Sequence, residues 1–345
     1  MVEYNITPEA LMENEKIAAA MQMAKPSIAV AGLGGAGSNI VSWIKQKGIA
    51  GGKLIAANTD AAHLSITKAD RRVLLGEKTC RGMGCGGYSE RGEQATLESL
   101  DELKREVAGS NIIFLCAGLG GGTGTGAVKV LARALKNSGA LVVGVVTLPF
   151  SVERYRYNNA KEALTDLRGD CDTVVAIDNT KLARVAGDLP LQQALGVANE
   201  LVGQFVKGIT ETIATASLIN IDYADLRAIM EKRGLAAIGV GTANGGERIE
   251  VAVRHALDGQ LLDIKDITKS HGVLIHVAGG EDVTLEEVTR AGELVTRALP
   301  PKAKIVWGAR VEPQLDSQAR VMVVLTGVES TFLAEQKKPF FSFGR

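Results

Sequence analysis

Aromatic residues are scarce in this chain, 4% of 345 residues, although 46% of it is apolar. A core with so few rings must be built from Val, Ile, Leu and Ala, as in α/β proteins. Net charge is also missing, because 39 basic residues offset 39 acidic ones. That balance argues against nucleic acid or a membrane surface as a partner held by charge. No apolar stretch approaches the ~20 residues that span a bilayer, so no direct membrane insertion is expected. The four cysteines, Cys80, Cys85, Cys116 and Cys171, follow no signal peptide. Cys80 and Cys85 have no second ligand pair or nearby histidine to make a zinc site, and reduced thiols in a cytoplasmic protein are expected. The four histidines, His63, His255, His271 and His276, are scattered and read as ordinary surface or core positions. A Walker-type lysine loop is absent as well: no G-x-x-x-x-G-K-[ST] occurs, and no lysine follows the richest glycine loop until Lys129.

That loop is the most informative feature present. Ala117-Gly-Leu-Gly-Gly-Gly-Thr-Gly-Thr-Gly126 follows the apolar run Asn111–Cys116 and precedes the helix-like Ala127–Leu135. Six glycines between a strand and a helix cost conformational entropy. They suit close approach of backbone N–H groups to an anion at a helix N-terminus. Without the lysine, phosphate charge falls to backbone amides, the Thr123 and Thr125 hydroxyls, the helix dipole and a metal. Two further glycine clusters, Gly32-Leu-Gly-Gly-Ala-Gly37 and Gly82-Met-Gly-Cys-Gly-Gly87, also precede helices. The first contains G-x-G-x-x-G, and Asp60 stands roughly where a Rossmann fold places its ribose-binding acid. An NAD(P)-dependent oxidoreductase is therefore a rival reading. It leaves the richer loop unexplained and lacks a catalytic His/Asp/Arg set. Asp60 suits either a hydrated Mg²⁺ or a helix N-cap.

Strand and helix alternate from about residue 26. Strands are expected near Ser27–Ala31, Lys53–Ala57, Val73–Leu75, Asn111–Cys116, Ala140–Thr147 and Thr173–Ile177. Helices are expected near Gly37–Lys47, Glu90–Val107, Gly122–Lys136 and Asn158–Leu167. Continuous apolar strands predict a parallel sheet buried on both faces. A long amphipathic helix, Leu191–Ala214, presents Leu195, Ala198, Leu201, Val202, Phe205 and Ile209 on one face. Strands near Ala236–Thr242, Val273–Ala278, Lys304–Val311 and Arg320–Val328, with helices near Glu247–Ala256 and Leu285–Ala298, predict a smaller α+β unit. The division expected is a helical arm 1–25, a nucleotide domain 26–188, a connecting helix 189–216, a second domain 217–328 and a tail 329–345.

Seven segments in order resemble the tubulin/FtsZ superfamily of self-assembling GTPases, and within it the FtsZ family of prokaryotic cell-division proteins. They are Gly35-Ala-Gly-Ser-Asn39, Asn58-Thr-Asp-Ala61, Gly82–Gly87, Gly120-Gly-Gly-Thr-Gly-Thr-Gly126, Pro149-Phe-Ser-Val-Glu153, Ile219-Asn-Ile-Asp-Tyr-Ala-Asp225 and Ile305-Val-Trp-Gly-Ala-Arg310. The likeness runs from about Ile28 to Val328. It implies a parallel-sheet GTP-binding domain of Rossmann-like topology, a long central helix and a smaller α+β C-terminal domain. It also implies GTP/GDP with Mg²⁺, the ion held by Asp60 through water. Nucleotide contacts are implied for Gly34, Gly35, Ala36, Gly37, Ser38, Asn39, Asp60, Gly86, Gly87, Gly120, Gly121, Gly122, Thr123, Gly124, Thr125 and Gly126. Glu153 matches a ribose contact, and Asn39 and Asn199 match guanine contacts. Asn220, Asp222 and Asp225 match the acidic loop that completes a neighbouring subunit's site, which implies head-to-tail homopolymers at the division site and assembly-dependent hydrolysis. Within one chain Asp222 also reads as a helix N-cap. A tubulin-like relative controlling cell shape is the alternative.

Three departures stand out. Tyr157 occupies the position where the family carries an arginine, and a one-residue deletion would assign that role to Arg156, with Tyr157 left open. Leu195 replaces an aromatic residue near the guanine. The tail is short, ending in Lys337-Lys-Pro-Phe-Phe-Ser-Phe-Gly-Arg345, and reads either as a docking peptide for membrane-anchor or division proteins or as a packed or frayed terminus.

Overall fold

The computed structural model describes residues 26–187, 191–214, 219, 221–259 and 261–333. Ten strands form one sheet in the order β3-β2-β1-β4-β5-β6-β7-β10-β8-β9. The strands are β1 (Ile28–Leu33), β2 (Gly52–Asn58), β3 (Arg71–Leu74), β4 (Ile112–Gly118), β5 (Leu141–Leu148), β6 (Thr173–Asp178), β7 (Gly234–Asn244), β8 (Gly272–Gly279), β9 (Lys304–Val311) and β10 (Gln318–Thr326). The first six are all parallel. Every residue of β1, β5 and β6 is buried, as a sheet covered on both faces requires. β10 runs antiparallel to β7 and β8, and β8 pairs with β9 in parallel. The expected second unit is thus an extension of the same sheet. The junction is narrow, a parallel pairing of Thr173–Val175 with Gly234–Ala236.

The helices are α1 (Gly34–Lys47), α2 (Ala61–Ile66), α3 (Ser89–Glu98), α4 (Leu100–Val107), α5 (Thr123–Leu135), α6 (Arg154–Asp170), α7 (Asn179–Ala186), α8 (Leu191–Ala214), α9 (Tyr223–Met230), α10 (Arg248–Asp258) and α11 (Leu285–Arg297). Apolar residues alternate along each strand between two cores. One core takes Ile28 and Val30 with Ile40, Val41 and Ile44 of α1 and Val202, Phe205, Val206 and Ile209 of α8. The other takes Ala29, Ala31 and Leu33 with the inner faces of α4, α5 and α6. Phe114 of β4 meets Phe205 of α8 edge to face at 6.2 Å, one of the few ring pairs available to fix the long helix beneath the sheet.

Several expectations shift. The helix expected over Glu90–Val107 breaks in two at Ser99, whose backbone leaves the helical region (φ −111°, ψ 13°). Its hydroxyl accepts from the Gly76 amide and donates to the Leu74 carbonyl, both at 3.3 Å. α1 starts at Gly34, three residues before the expected Gly37. Residues 1–25, the side chain of Leu195, Asn220 and the tail phenylalanines lie outside the described residues. The start of the tail packs down: Ser330 bridges Ile264, and Phe332 lies edge-on to Tyr157 at 4.8 Å.

Candidate functional site

Strand order reverses between β1 and β4, the switch point at which open α/β sheets bind ligands. A cavity of about 310 Å³ opens there. Leu33, Gly35 and Ala36 follow β1, Gly118, Leu119 and Gly121–Gly124 follow β4, and Thr147, Pro149, Glu153, Arg156 and Asn179 complete the wall. Three helices begin on this wall: α1 after Leu33, α5 after Gly122 and α6 after Glu153. None of the three has a side-chain cap. Unpaired N–H groups from three helix ends therefore converge on one hollow, where they can receive an anion.

The loops pack tightly enough to dictate glycine. Gly34 adopts φ +69°, and a Cβ there would lie 2.7 Å from the Gly124 amide nitrogen. The first and fourth loops thus meet backbone to backbone. At Gly35 and Gly121, both on the wall, a Cβ would meet nothing within 4 Å. Two of the four unpartnered buried side-chain atoms among the described residues belong here, Ser38 Oγ in the first loop and Asn179 Oδ1 on the wall.

Other predicted residues serve the loops themselves. Thr125, 2% exposed, accepts the Gly120 amide through Oγ1 at 2.9 Å and so braces its own loop. Thr123 Oγ1 lies 2.6 Å from Thr59 Oγ1 and donates to Cys85 Sγ at 3.5 Å. Asp60 lies beyond β2 and caps α2 by accepting the His63 amide at 2.9 Å. Gly34, Gly37, Ser38, Asn39, Gly86, Gly87, Gly120, Gly126 and Asn199 are not part of the wall. Asn39 is exposed on the next turn of α1 after Ala36, and Asn199 stands half-buried on α8.

Arg156 and Tyr157 face different surroundings. Arg156 lines the cavity and pairs with Glu153 at 2.8 Å, while Tyr157 turns inward onto Phe332. Lys129 is held by Glu93 (2.9 Å) and Asp166 (3.2 Å) along α5 and is no phosphate clamp. All four cysteines are free and buried. Burial lifts the Cys116 and Cys171 thiols to about 12. No group of three or more metal-ligating side chains occurs among the described residues. The sequence reading overlooked Asn179, which follows the capping residue Asp178 and looks like ordinary helix-start chemistry. It also dismissed His63, which lies within hydrogen-bonding reach of Asn39 and Asn58.

The acidic turn lies elsewhere. Asp222 caps α9 through the Ala224 amide (3.2 Å), and Asp225 faces Lys304 at 3.7 Å, both acids exposed. α9 is anchored by Tyr223 to the Asn111 carbonyl (3.2 Å) and by Arg227 to the Gly139 carbonyl (3.1 Å). Those carbonyls precede β4 and β5, whereas the cavity follows those strands. Turn and cavity thus sit at opposite ends of the central strands, separated by the length of β4, about 20 Å at ~3.3 Å per residue.

Comparison with known proteins bears on this layout. The profile of the Tubulin/FtsZ family, GTPase domain, matches residues 27–187, and that of the FtsZ family, C-terminal domain, matches residues 234–329. FtsZ 2 of Methanocaldococcus jannaschii is 45% identical over 316 residues, which are 90% of this chain and 83% of that protein. The empty FtsZ dimer of M. jannaschii superposes with a TM-score of 0.87 at 41% identity, covering 97% of this chain and 99% of the other. The GTPγS-bound CetZ2 protofilament of Haloferax volcanii shares the fold at a TM-score of 0.75 and 24% identity, over 89% of this chain and 95% of its own. The fold and its glycine loops are those of a tubulin-like GTPase. More narrowly, this chain belongs to the FtsZ family, and the oxidoreductase reading falls away.

Proposed function

We propose that this chain binds GTP in the cavity after β1, β4 and β5 and hydrolyses it to GDP and phosphate only when a second copy stacks head to tail upon it. The stacks are filaments serving cell division. The observation that carries this reading is the opposition of cavity and acidic turn across the sheet. Asp222 and Asp225 cannot reach the cavity of their own chain, yet stacking in a constant direction brings the turn of one subunit over the cavity of the next. Such an interface repeats without closing.

In that arrangement the helix ends and the glycine-loop amides hold the phosphates, Arg156 adds positive charge, and Glu153 accepts from ribose hydroxyls. Asn39, Asn179 and Asn199 contact the base and sugar, because amides both donate and accept. Asn220, Asp222 and Asp225 of the neighbour orient the attacking water, and positioning supplies most of the rate. Asp60, a single hard oxygen donor, suits a Mg²⁺ that keeps most of its water shell, and the ion would neutralise phosphate charge. No helix among the described residues is long and apolar enough to cross a membrane. We assign Lys337–Arg345 to the docking of membrane-anchor or division proteins. Identity of 44–45% to proteins named for cell division favours division over control of cell shape.

Mixing tests the shared site. Asp225→Ala keeps an intact cavity, and Thr123→Ala keeps an intact acidic turn. Each alone should hydrolyse GTP slowly, while a mixture should recover part of the wild-type rate. A mixture no faster than the sum of its components would reject the shared centre.

A further inference from the structure

His63 stands in the first turn of α2, between the Asn58–Ala61 segment and Asn39 at the end of the first glycine loop. Its backbone is fixed at both ends: the amide donates to Asp60 Oδ1 at 2.9 Å, and the carbonyl accepts from Thr67 Oγ1 at 2.8 Å. Its ring is bonded on both sides, Nδ1 to Asn58 Nδ2 and Nε2 to Asn39 Oδ1, each at 3.1 Å.

The direction of these bonds follows from their neighbours. Asn58, 3% exposed, uses its side-chain carbonyl to accept the Asp60 amide at 3.3 Å, which leaves its NH₂ group facing the ring. An NH₂ group only donates, so Nδ1 must accept and carry no proton. The proton of the neutral ring therefore sits on Nε2, which donates to the Asn39 carbonyl. The chain runs one way, from the Asp60 amide through Asn58 and His63 to Asn39. Its consequence falls on Asn39: with the carbonyl engaged, its NH₂ group is the end left to face outward.

We propose that His63 is a positioning residue for nucleotide recognition, fixing Asn39 so that it offers a hydrogen-bond donor to an acceptor atom of the bound nucleotide. The inference rests on the reading of Asn39 as a nucleotide contact. An outward NH₂ group favours a carbonyl oxygen on the ligand, such as guanine O6, over the amino group that adenine presents at the same place.

Three variants and one spectrum test it. His63→Leu removes both ring bonds and should weaken GTP binding, measured by calorimetry, about three- to tenfold, the worth of a neutral hydrogen bond. His63→Gln carries one acceptor and one donor and should return affinity to within about twofold, since both bonds can re-form. Asn39→Leu separates the two levels of the argument. If it leaves affinity unchanged, the reading of Asn39 fails. If it weakens binding while His63→Leu does not, the positioning role fails. In the double variant His63→Leu should add nothing further. Nitrogen NMR of the wild-type chain needs no variant to fold: Nε2 should be protonated and Nδ1 bare, and the opposite tautomer overturns the proposal.

Discussion

Thr59 and Thr123 join their hydroxyls at 2.6 Å, tying the segment after β2 to the loop after β4. Cys85 closes the circuit, donating to Thr59 at 3.4 Å while receiving from Thr123 at 3.5 Å. Three loops of one cavity region thus meet in a ring of three small polar groups. Thr123→Ala should weaken GTP binding by about tenfold, through loss of the wall hydroxyl and of this ring. Thr59→Val, which removes only the brace, should cost less. Equal affinities for the wild type and both variants, measured by calorimetry, would exclude the ring from nucleotide binding.

Asp225→Ala should separate binding from hydrolysis. The side chain is exposed at the edge of the sheet remote from the cavity, so GTP affinity should stay at the wild-type value. Turnover should fall on the order of 100-fold if the acid positions water. The check is a phosphate-release assay at saturating GTP beside a binding titration; wild-type turnover removes Asp225 from the mechanism.

His276 should make the fold acid-sensitive. It is fully enclosed between β8 and α8, and burial pushes its imidazole down to about 4. Thr212 Oγ1 donates to the Gly208 carbonyl, so it accepts the ring Nε2–H at 2.9 Å, a bond open to either protonation state, and the downward shift comes from burial. Charges on Glu211, Arg310, Glu312 and Arg320 act on the ring with opposing signs. The unfolded chain takes up the proton near pH 6.5 and the folded chain only near 4. The stabilisation is therefore complete above 6.5 and is lost as pH falls through that window, by roughly 3 kcal/mol at its end. Urea unfolding across pH 7 to 4 should show this decline, and His276→Gln should flatten it.

Gly126→Ala should destabilise the chain without touching the cavity wall. A Cβ there would stand 2.3 Å from the Glu93 amide nitrogen and 2.5 Å from the Ser89 carbonyl oxygen, forcing α5 away from α3. Overpacking of this kind costs about 1–3 kcal/mol. Thermal unfolding of the nucleotide-free protein should show a clear drop in Tm, and an unchanged Tm would mean that the two helices do not pack this closely.

The parallel half of the sheet was legible because its strands are continuous apolar runs and the loops between them are marked by glycine. Local signals failed where distant contacts decide. Nothing in Ser99 itself announces a helix break; the break follows from its bonds to Leu74 and Gly76. α2 has only six residues, too few for periodicity. The pairing of β6 with β7 joins residues far apart in sequence through only three positions. At the site, the glycines were recognisable but their duties were mixed. Gly35 and Gly121 leave space at the wall, whereas Gly34 and Gly126 serve loop and helix packing. Arg156 and Tyr157 differ in surroundings because Phe332, from the far end of the chain, packs on the tyrosine, a contact that no local pattern announces. His63 was passed over because a solitary histidine carries no pattern; its meaning lies in the two asparagines it joins.

The placement of α9 at one rim and the hollow at the other also sets an arithmetic. With the proposed shared centre, a row of such subunits would contain one fewer finished reaction centre than it has members, because the molecule at one terminus would have no donor above it. A pair would then work at half its nominal capacity, and output per chain would climb towards a plateau as rows lengthen. The two termini are chemically unlike, one showing helix-end amides and the other exposed carboxylates, so an agent that blocks one should leave the other free to grow.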